Sequence, residues 1–483
     1  MQRMILTAGD TYPSTQEGAL SFPKASPAAR AMPIAGARWS CRAGAAVLAL
    51  VLGSQAFAQG LEVEGDEPPP LTLELMQEQI DELREKLDHK PNLAVPETTM
   101  KFFGRIQIDA SGVIKSDAAI NAFETGDPTD DPENNIEFRR SRFGFSGKTA
   151  GDILYKTEID YAHPNGLAFK DMFFGFEEVP HLGKVLIGNQ KRPYGLDALN
   201  SSRYNVMMER PFINDTLNRN ARRLGAQAYG VSEDKAWNWQ YGLFHMTDVA
   251  GVGKILGDAV QPEVAGRLAH TAWYDEESGG RNYGHIALSG SLAFPDEDAA
   301  INAARFNSRP EIRTNRPWIT TGVIDGADSY VLGGLEGVAN FGPTQVVAEY
   351  MHTNVNRLGG GTELQFHGGY LMLAHFLTGE HMPWDRKSGT IGRPRPLGGE
   401  SGGRGGAWQV AARYSYADFS DEDIYGGVGE AVTLGLNWYW SANARMQLNY
   451  SIGSITDRNL DVGGTIYSDG DYQTLGIRLM MDF

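Results

Sequence analysis

The chain has 483 residues, of which 41% are hydrophobic, 10% aromatic and 58 glycine, and its formal charge is −17. Beyond residue 58 no stretch offers eighteen consecutive apolar residues, which excludes a helical membrane protein. The acidic balance gives no reason to expect a nucleic-acid partner, so a soluble β-protein or a transmembrane β-barrel remains.

At the N-terminus Arg38 and Arg42 precede the apolar run Ala43–Leu52 and the small-x-small sequence Ala56-Phe57-Ala58. That pattern predicts a signal peptide over 1–58, cut after Ala58, because the run is too short to span a bilayer. The part before Met32 is unusually long for such a signal, so Met32 is an alternative start. Cleavage removes five basic and two acidic residues, leaving the chain more acidic still. It also removes Cys41, the only cysteine, so neither disulfides nor thiolate metal sites are expected.

Residues 59–99 read as an acidic linker and a short helix. Leu73, Met76, Ile80, Leu83 and Leu87 follow heptad spacing. So short a helix is marginal alone, which leaves two readings, association with copies of itself or lying on a barrel mouth. Pro91 and Pro96 end it.

From Met100 the period becomes two. Phe102, Gly104, Ile106, Ile108 and Ala110 face one way, and Phe103, Arg105, Gln107 and Asp109 the other. Similar segments follow at Ile136–Lys148, Gly151–Ala162, Leu167–Val179, Gly183–Gln190, Leu224–Ser232, Ala236–Met246, Glu263–Tyr274, Tyr283–Phe294, Ser329–Phe341, Thr344–Asn354, Leu364–Thr378, Ala407–Tyr416, Ala431–Trp440, Asn443–Ile455 and Tyr472–Phe483. A seventeenth candidate, Glu311–Thr321, is assigned to a loop because bacterial single-chain barrels have even strand numbers. The expected fold is therefore all-β, a sixteen-stranded antiparallel transmembrane β-barrel over 100–483 with a short N-terminal periplasmic helix. In the last segment Leu475, Ile477, Leu479, Met481 and Phe483 alternate with polar or small positions, and the strand ends on an aromatic.

If both barrel ends are periplasmic, short and long connections should alternate. Lys148–Gly151, Pro180–Gly183 and Glu233–Lys235 are short; Ser111–Asn135 and Lys191–Arg223 are long and extracellular. The same parity puts the long Gly379–Gly406 on the periplasmic side, so either it folds into the lumen or the strand count fails nearby.

The face opposite the apolar one carries Arg105, Arg140, Arg142, Arg267, Arg413, Arg445 and Arg478, with acids at Asp109, Glu158, Asp160, Asp171 and Glu349. An arginine facing lipid near the midplane costs roughly 2–4 kcal/mol, so these residues are expected to line the lumen. Within Phe138-Arg139-Arg140-Ser141-Arg142, strict alternation sends Arg139 outward, and a bulge or a position above the lipid would let all three arginines converge. Close guanidiniums repel by about 1 kcal/mol per pair at 4 Å even in water, and their planar forks match oxyanions. The long loop Lys191–Arg223 has seven basic residues, including Lys191, Arg192 and Arg203, against three acidic ones. A pore ringed by such groups passes anions, whatever the total charge. Candidate basic residues also occur at Arg305, Arg309, Arg313 and Arg316, and at Arg386, Lys387, Arg393, Arg395 and Arg404. Arg458 reads as a loop residue, so removing Arg140 should lower anion selectivity more than removing Arg458.

FRRSRFGFSGK at 138–148, IGNQKRPYGLDALNSSRYNVMMERP at 187–211, LTGE at 377–380, GAWQVAARYS at 406–415, LGLNWYW at 434–440 and the closing strand together resemble the phosphate-selective porins, the O and P porins of the outer membrane. The resemblance implies a sixteen-stranded, usually trimeric porin in outer-membrane lipid, with inward-folded loops and basic residues guiding small anions, phosphate or polyphosphate. It implies that Gln190–Pro211 forms the constriction, with Ser201 and Ser202 among its residues, that Arg139 and Arg140 are the paired wall arginines, and that Asp171 is a nearby acidic wall residue. Strongly phosphate-selective members carry a lysine three residues before the Ser-Ser pair, where this chain has Ala198. A general anion or carboxylate porin, or a barrel of structural role in the envelope, is the alternative.

Catalysis has little support. The ten histidines are scattered, His367 and His375 fall on what reads as the inward face of one strand, and no metal-ligand spacing such as HExxH or nucleophile elbow occurs. No cofactor or metal is expected.

Overall fold

The computed structural model describes residue 81 and residues 98–163, 166–218, 221–251, 254–257, 260–296, 304–398 and 405–483. The expected signal peptide, linker and heptad seam lie outside the described residues.

Sixteen strands close into one barrel, each hydrogen-bonded to its sequence neighbour and the last to the first. They are β1 (Lys101–Ser116), β2 (Asn135–Lys148), β3 (Ile153–Asp160), β4 (Ala168–Val179), β5 (Gly183–Lys191), β6 (Arg222–Val231), β7 (Trp237–His245), β8 (Pro262–Tyr274), β9 (Asn282–Ala293), β10 (Ala327–Phe341), β11 (Thr344–Arg357), β12 (Leu364–Phe376), β13 (Ala407–Asp421), β14 (Ile424–Tyr439), β15 (Ala444–Arg458) and β16 (Gly470–Asp482). All pairings are antiparallel, as a meander of hairpins requires. Residues 311–321 belong to no barrel strand; near them Asn307–Ser308 pairs with Ile319–Thr320 inside the connection 294–326.

Alternation sorts the side chains. Leu243, Leu268, Leu288, Leu335, Leu371, Leu434 and Ile452 are exposed on the outer surface, whereas Arg105, Arg267, Arg413, Arg445 and Arg478 are buried on the inner one. At the short-turn end the outer surface carries an aromatic girdle in which Trp408 and Trp438 stack at 5.0 Å and Trp440 meets Trp438 edge-on at 5.6 Å. Trp and Tyr favour such a boundary between apolar and wet surroundings.

The interior is filled by connections that turn inward. Residues 117–134 form α1 (Ala118–Thr125), whose N-terminus is capped by the Asp117 carboxylate accepting from Ala119 N and Ile120 N. Its Glu124 accepts hydrogen bonds from Asn315 N at 2.7 Å and Trp318 Nε1 at 2.8 Å, which ties this connection to 294–326. Residues 192–221 contain α2 (Leu196–Leu199) and α3 (Phe212–Leu217). Phe306 meets Phe366 of β12 and Phe419 of β13 at 5.8 and 6.0 Å, so an apolar plug stands inside the barrel wall. Each such ring contributes roughly 1.5–3 kcal/mol by burial.

This plug corrects the reading of the histidines. Leu364, Phe366, Tyr370 and Met372 of β12 are buried inward against the inserted loops, and His367 and His375 face outward. His367 lies beside Tyr350 and Tyr416 on the outer wall, at 6.2 and 5.7 Å. Both faces of β12 are apolar, so alternation alone did not identify the inner one.

The barrel closes where β16 meets β1. Gly104 N donates to Phe483 O at 3.1 Å, and Phe483 N to Gly104 O at 3.2 Å. A Cβ on Gly104 would lie 2.4 Å from the Phe483 ring and 2.9 Å from the Arg142 carbonyl oxygen, so a side chain there would displace both the ring and the main chain of β2. Gly104→Val should therefore cost about 1–3 kcal/mol by overpacking. The expected outcome is a lower unfolding temperature of the detergent-solubilised barrel, read by its heat-modifiable gel mobility; an unchanged transition would contradict the packing described.

Candidate functional site: a basic cavity behind a crossing loop

The site begins with a bulge. Gln107 pairs with Arg140 but Ile108 pairs with Phe138, so β2 has one residue more than β1 there, and that residue is Arg139. Its side chain points into the barrel with its neighbours. Arg139 Nε and Nη2 donate to the two carboxylate oxygens of Glu209, at 2.8 and 2.9 Å. Arg140 is buried, donates to Gln107 Oε1 at 2.6 Å, and forms no ion pair among the described residues. Arg142 Nε lies 2.8 Å from Asp160 Oδ2.

Around these arginines cations outnumber acids. Arg105 donates to Glu158 Oε1 at 2.5 Å and to Ser202 Oγ at 2.8 Å. Arg222 and Lys156 share Asp171, each at 2.5 Å, and Arg222 is 3.7 Å from Glu158. Lys170 is 3.9 Å from Asp160. Five cations thus divide three carboxylates, which keeps the region positive without leaving any of these five unpaired.

Loop 192–221 crosses the lumen and is gripped where it leaves the wall and again at its middle. The strands on either side extend to Lys191 and Arg222, so the inserted segment is slightly shorter than Lys191–Arg223. At the near end Lys191 Nζ donates to Leu199 O and Asn200 O at 2.6 and 2.9 Å, and Glu349 accepts from Leu196 N and Asp197 N. Arg192 Nη1 pairs with Glu263 Oε2 at 2.7 Å, Nη2 donates to Asn218, and the guanidinium lies over Tyr194. At its middle Arg445 donates to Asn205 O, Asn437 and Gln447 to Val206 O, Arg478 to Met208 O and Arg413 to Glu209 O. Burial opposes the charge on the Glu209 carboxylate, but Arg139, Arg478 and Arg140 overcome it and hold the group well below the usual carboxylate range. For Asp197 burial prevails over Arg210 and raises the carboxyl.

The connection 377–406 enters from the opposite side. Trp384 stacks on Tyr283 at 5.5 Å and donates to Thr271 Oγ1 at 3.2 Å. Arg267, paired with Glu336, donates to Ser388 O at 3.4 Å and Gly389 O at 2.8 Å. Gly389 has φ +59°, and a Cβ there would lie 2.9–3.0 Å from Asn238 and Arg267, so glycine is needed for this close approach. The two inserted segments touch where Ile391 N donates to Asn200 Oδ1 at 3.0 Å. Arg203 and Arg393, one from each, share Asp482 of β16, at 3.3 and 2.9 Å.

Between crossing loop, insertion and wall lies a cavity of about 1380 Å³. It runs from the rim at Lys101 and Lys184 to Arg140 and Arg210, and among the described residues twelve Lys or Arg line it against four Asp or Glu, so its local sign opposes that of the whole chain. Of the residues singled out from the sequence, Arg105, Arg140, Arg142, Asp171, Lys191, Ser201, Ser202 and Arg203 border it. Arg139, Arg192, Arg267, Arg413, Arg445 and Arg478 do not border it, and carboxylates or loop carbonyls take their donors.

Lys387 and Arg393 of the insertion also border the cavity, Arg305 and Arg395 are exposed, and Arg404 lies outside the described residues. Arg458 is not a loop residue. Strand β15 extends to it, it is buried, and its Nη1 donates to Trp318 O at 2.5 Å. Lys156 was missed, although the alternation that put Glu158 and Asp160 inside puts it there too. The structural role of Glu209 had no sequence signal beyond its charge.

The family described as phosphate-selective porin O and P matches residues 108–483. An uncharacterized protein of Caulobacter vibrioides is 28% identical over 406 residues, 81% of this chain and 76% of that one. Among solved structures the chain is similar to the trimer form of OmpT, an outer membrane protein of Vibrio cholerae, at 12% identity and a TM-score of 0.49 over 80% of this chain and 100% of that one. It is also similar to an anion-selective porin from Comamonas acidovorans, at 13% identity and a TM-score of 0.47 over 80% and 100%.

The insertion should depend on Arg267. Breaking a buried ion pair from one side costs about 3–5 kcal/mol, and Arg267→Met also removes two donors from the tip at 388–389. Trypsin cleavage after the exposed Lys387 is expected to accelerate at least ~3-fold as the tip opens locally; an unchanged cleavage rate would show that the tip is held by other contacts.

Proposed function

The chain belongs to the phosphate-selective porin O and P family, and from that premise we propose that its basic cavity conducts small anions by passive diffusion, with phosphate or polyphosphate preferred. The protein is an outer-membrane porin, a channel and not an enzyme. In this reading the short-turn side faces the periplasm and the long loops face outward. The proposed assembly is a homotrimer embedded in outer-membrane lipid, in line with the family resemblance and the heptad spacing of 73–87.

One observation carries the anion reading. Arg140 is buried at the end of the cavity and, among the described residues, has a single hydrogen bond, to Gln107, and no carboxylate partner. A guanidinium removed from bulk water needs a counter-charge, and here a mobile anion supplies it. Neighbouring cations already divided among Glu158, Asp160 and Asp171 keep the anion from being held at one place, as conduction between adjacent sites requires. Cations are disfavoured by the same excess.

The preference for phosphate is the finer part of the proposal. Planar guanidiniums at Arg105, Arg140, Arg142 and Arg203 suit a multi-oxygen anion. Ala198 favours the second reading, a general anion or carboxylate porin: it is fully buried and brings no charge to the loop where a lysine would. Competition for chloride current in planar bilayers decides between them. The proposal expects phosphate and pyrophosphate to block at lower concentration than dicarboxylates; equal block supports the general porin, and absence of conductance the structural barrel.

Arg140→Ala is expected to lower the anion-to-cation permeability ratio at least ~3-fold, since it removes a charge from a poorly hydrated site. Lys254→Ala, at an exposed position on the long-loop side, should leave the ratio unchanged. Equal effects of the two substitutions in bilayer recordings would contradict the role given to Arg140.

A further inference from the structure

We propose that Glu209 is a built-in anion: its carboxylate occupies the arginine cluster at the bulge as a permeant anion would, and thereby limits how tightly the channel holds its solute. The proposal rests on the anion-channel reading above and assigns within it the residue that sets affinity.

Glu209 binds as an oxyanion ligand does. Both oxygens take a donor from Arg139, at 2.8 and 2.9 Å, and Oε1 also lies 2.6 Å from Arg478 Nη2. The loop does not need an acid here to stay in place. Its carbonyls at 205, 206, 208 and 209 are already held by Arg445, Asn437, Gln447, Arg478 and Arg413, and these contacts use no side-chain atom of residue 209.

What the acid changes is charge. Arg139, Arg140 and Arg478 are countered by Glu209 and by Asp109, which takes donors from Arg478 at 2.7 and 2.6 Å. The remaining positive charge belongs to Arg140, the member that reaches the large cavity. Without the Glu209 carboxylate the cluster would carry one more. Position along β1 supports the same view. Arg105 and the Arg140 bonded to Gln107 border the large cavity, whereas Asp109 and Ser111, further toward the long-loop side, border a small one that Glu209 also lines. Glu209 therefore lies beyond Arg140 on the long-loop side.

The test measures the concentration of inorganic phosphate that halves chloride current through the full-length channel in planar bilayers. Glu209→Gln keeps shape and an acceptor oxygen but removes the charge, and should lower that concentration about 3- to 10-fold, while Arg139→Ala should raise it at least ~3-fold. Glu209→Asp, which retains the charge, should stay near the unsubstituted value. If Glu209 were only a brace, breaking the contact from either side would loosen the same loop, so Glu209→Gln and Arg139→Ala would shift together. That outcome overturns the proposal, as does no shift in Glu209→Gln, or a shift in Glu209→Asp that matches it. Cation preference of the unsubstituted channel would instead overturn the reading on which the proposal rests.

Discussion

A guanidinium enclosed by a barrel has to find partners, and the interior is organised by how each arginine finds them. Leaving such a charge unpaired away from water costs several kcal/mol. Arg192 and Arg267 are matched to Glu263 and Glu336. Arg413, Arg445 and Arg478 direct donors at main-chain carbonyls of residues 205–209. Those donors fix where the crossing loop lies, because a loop that brings bare carbonyls into the lumen needs them as much as the arginines need acceptors. Arg140 is handled differently: among the described residues it has one hydrogen bond, to Gln107, and it borders the large cavity.

The cavity is bounded by segments that enter from opposite ends of the barrel. The crossing loop contributes Ser201, Ser202 and Arg203, and the insertion contributes Lys387 and Arg393. They touch at Asn200 and Ile391 and meet the closing strand at Asp482. The passage is therefore set by loop placement more than by barrel diameter. Local charge, not the total of −17, sets its sign: charges on distant outer loops are screened beyond about 8 Å at physiological ionic strength.

Much of the fold was legible in the sequence because strand alternation separates two surroundings, an exposed apolar outer surface and an enclosed, charged interior. The sixteen segments read from period two are the sixteen strands of the barrel, with shifted ends. Alternation misled where that interior is filled by apolar protein. On β12 the apolar plug puts Phe366 and Met372 inside and Leu371 and Leu373 outside, so His367 was assigned to the wrong face. Arg458 was misplaced for a related reason, since β15 continues past Ile455 to hold the inserted connection 294–326. The site was legible as composition, an arginine cluster and a basic loop. Which arginines reach the cavity was not, because the partners Glu209, Glu263 and the loop carbonyls are brought there only by tertiary structure.

In the proposed function the cavity's excess of guanidinium and ammonium groups over carboxylates determines which ions pass. The zero-current potential of the unsubstituted channel across a steep KCl gradient tests it most directly. The expected sign marks chloride as the more permeant ion; the opposite sign, marking potassium, would overturn the anion-channel proposal.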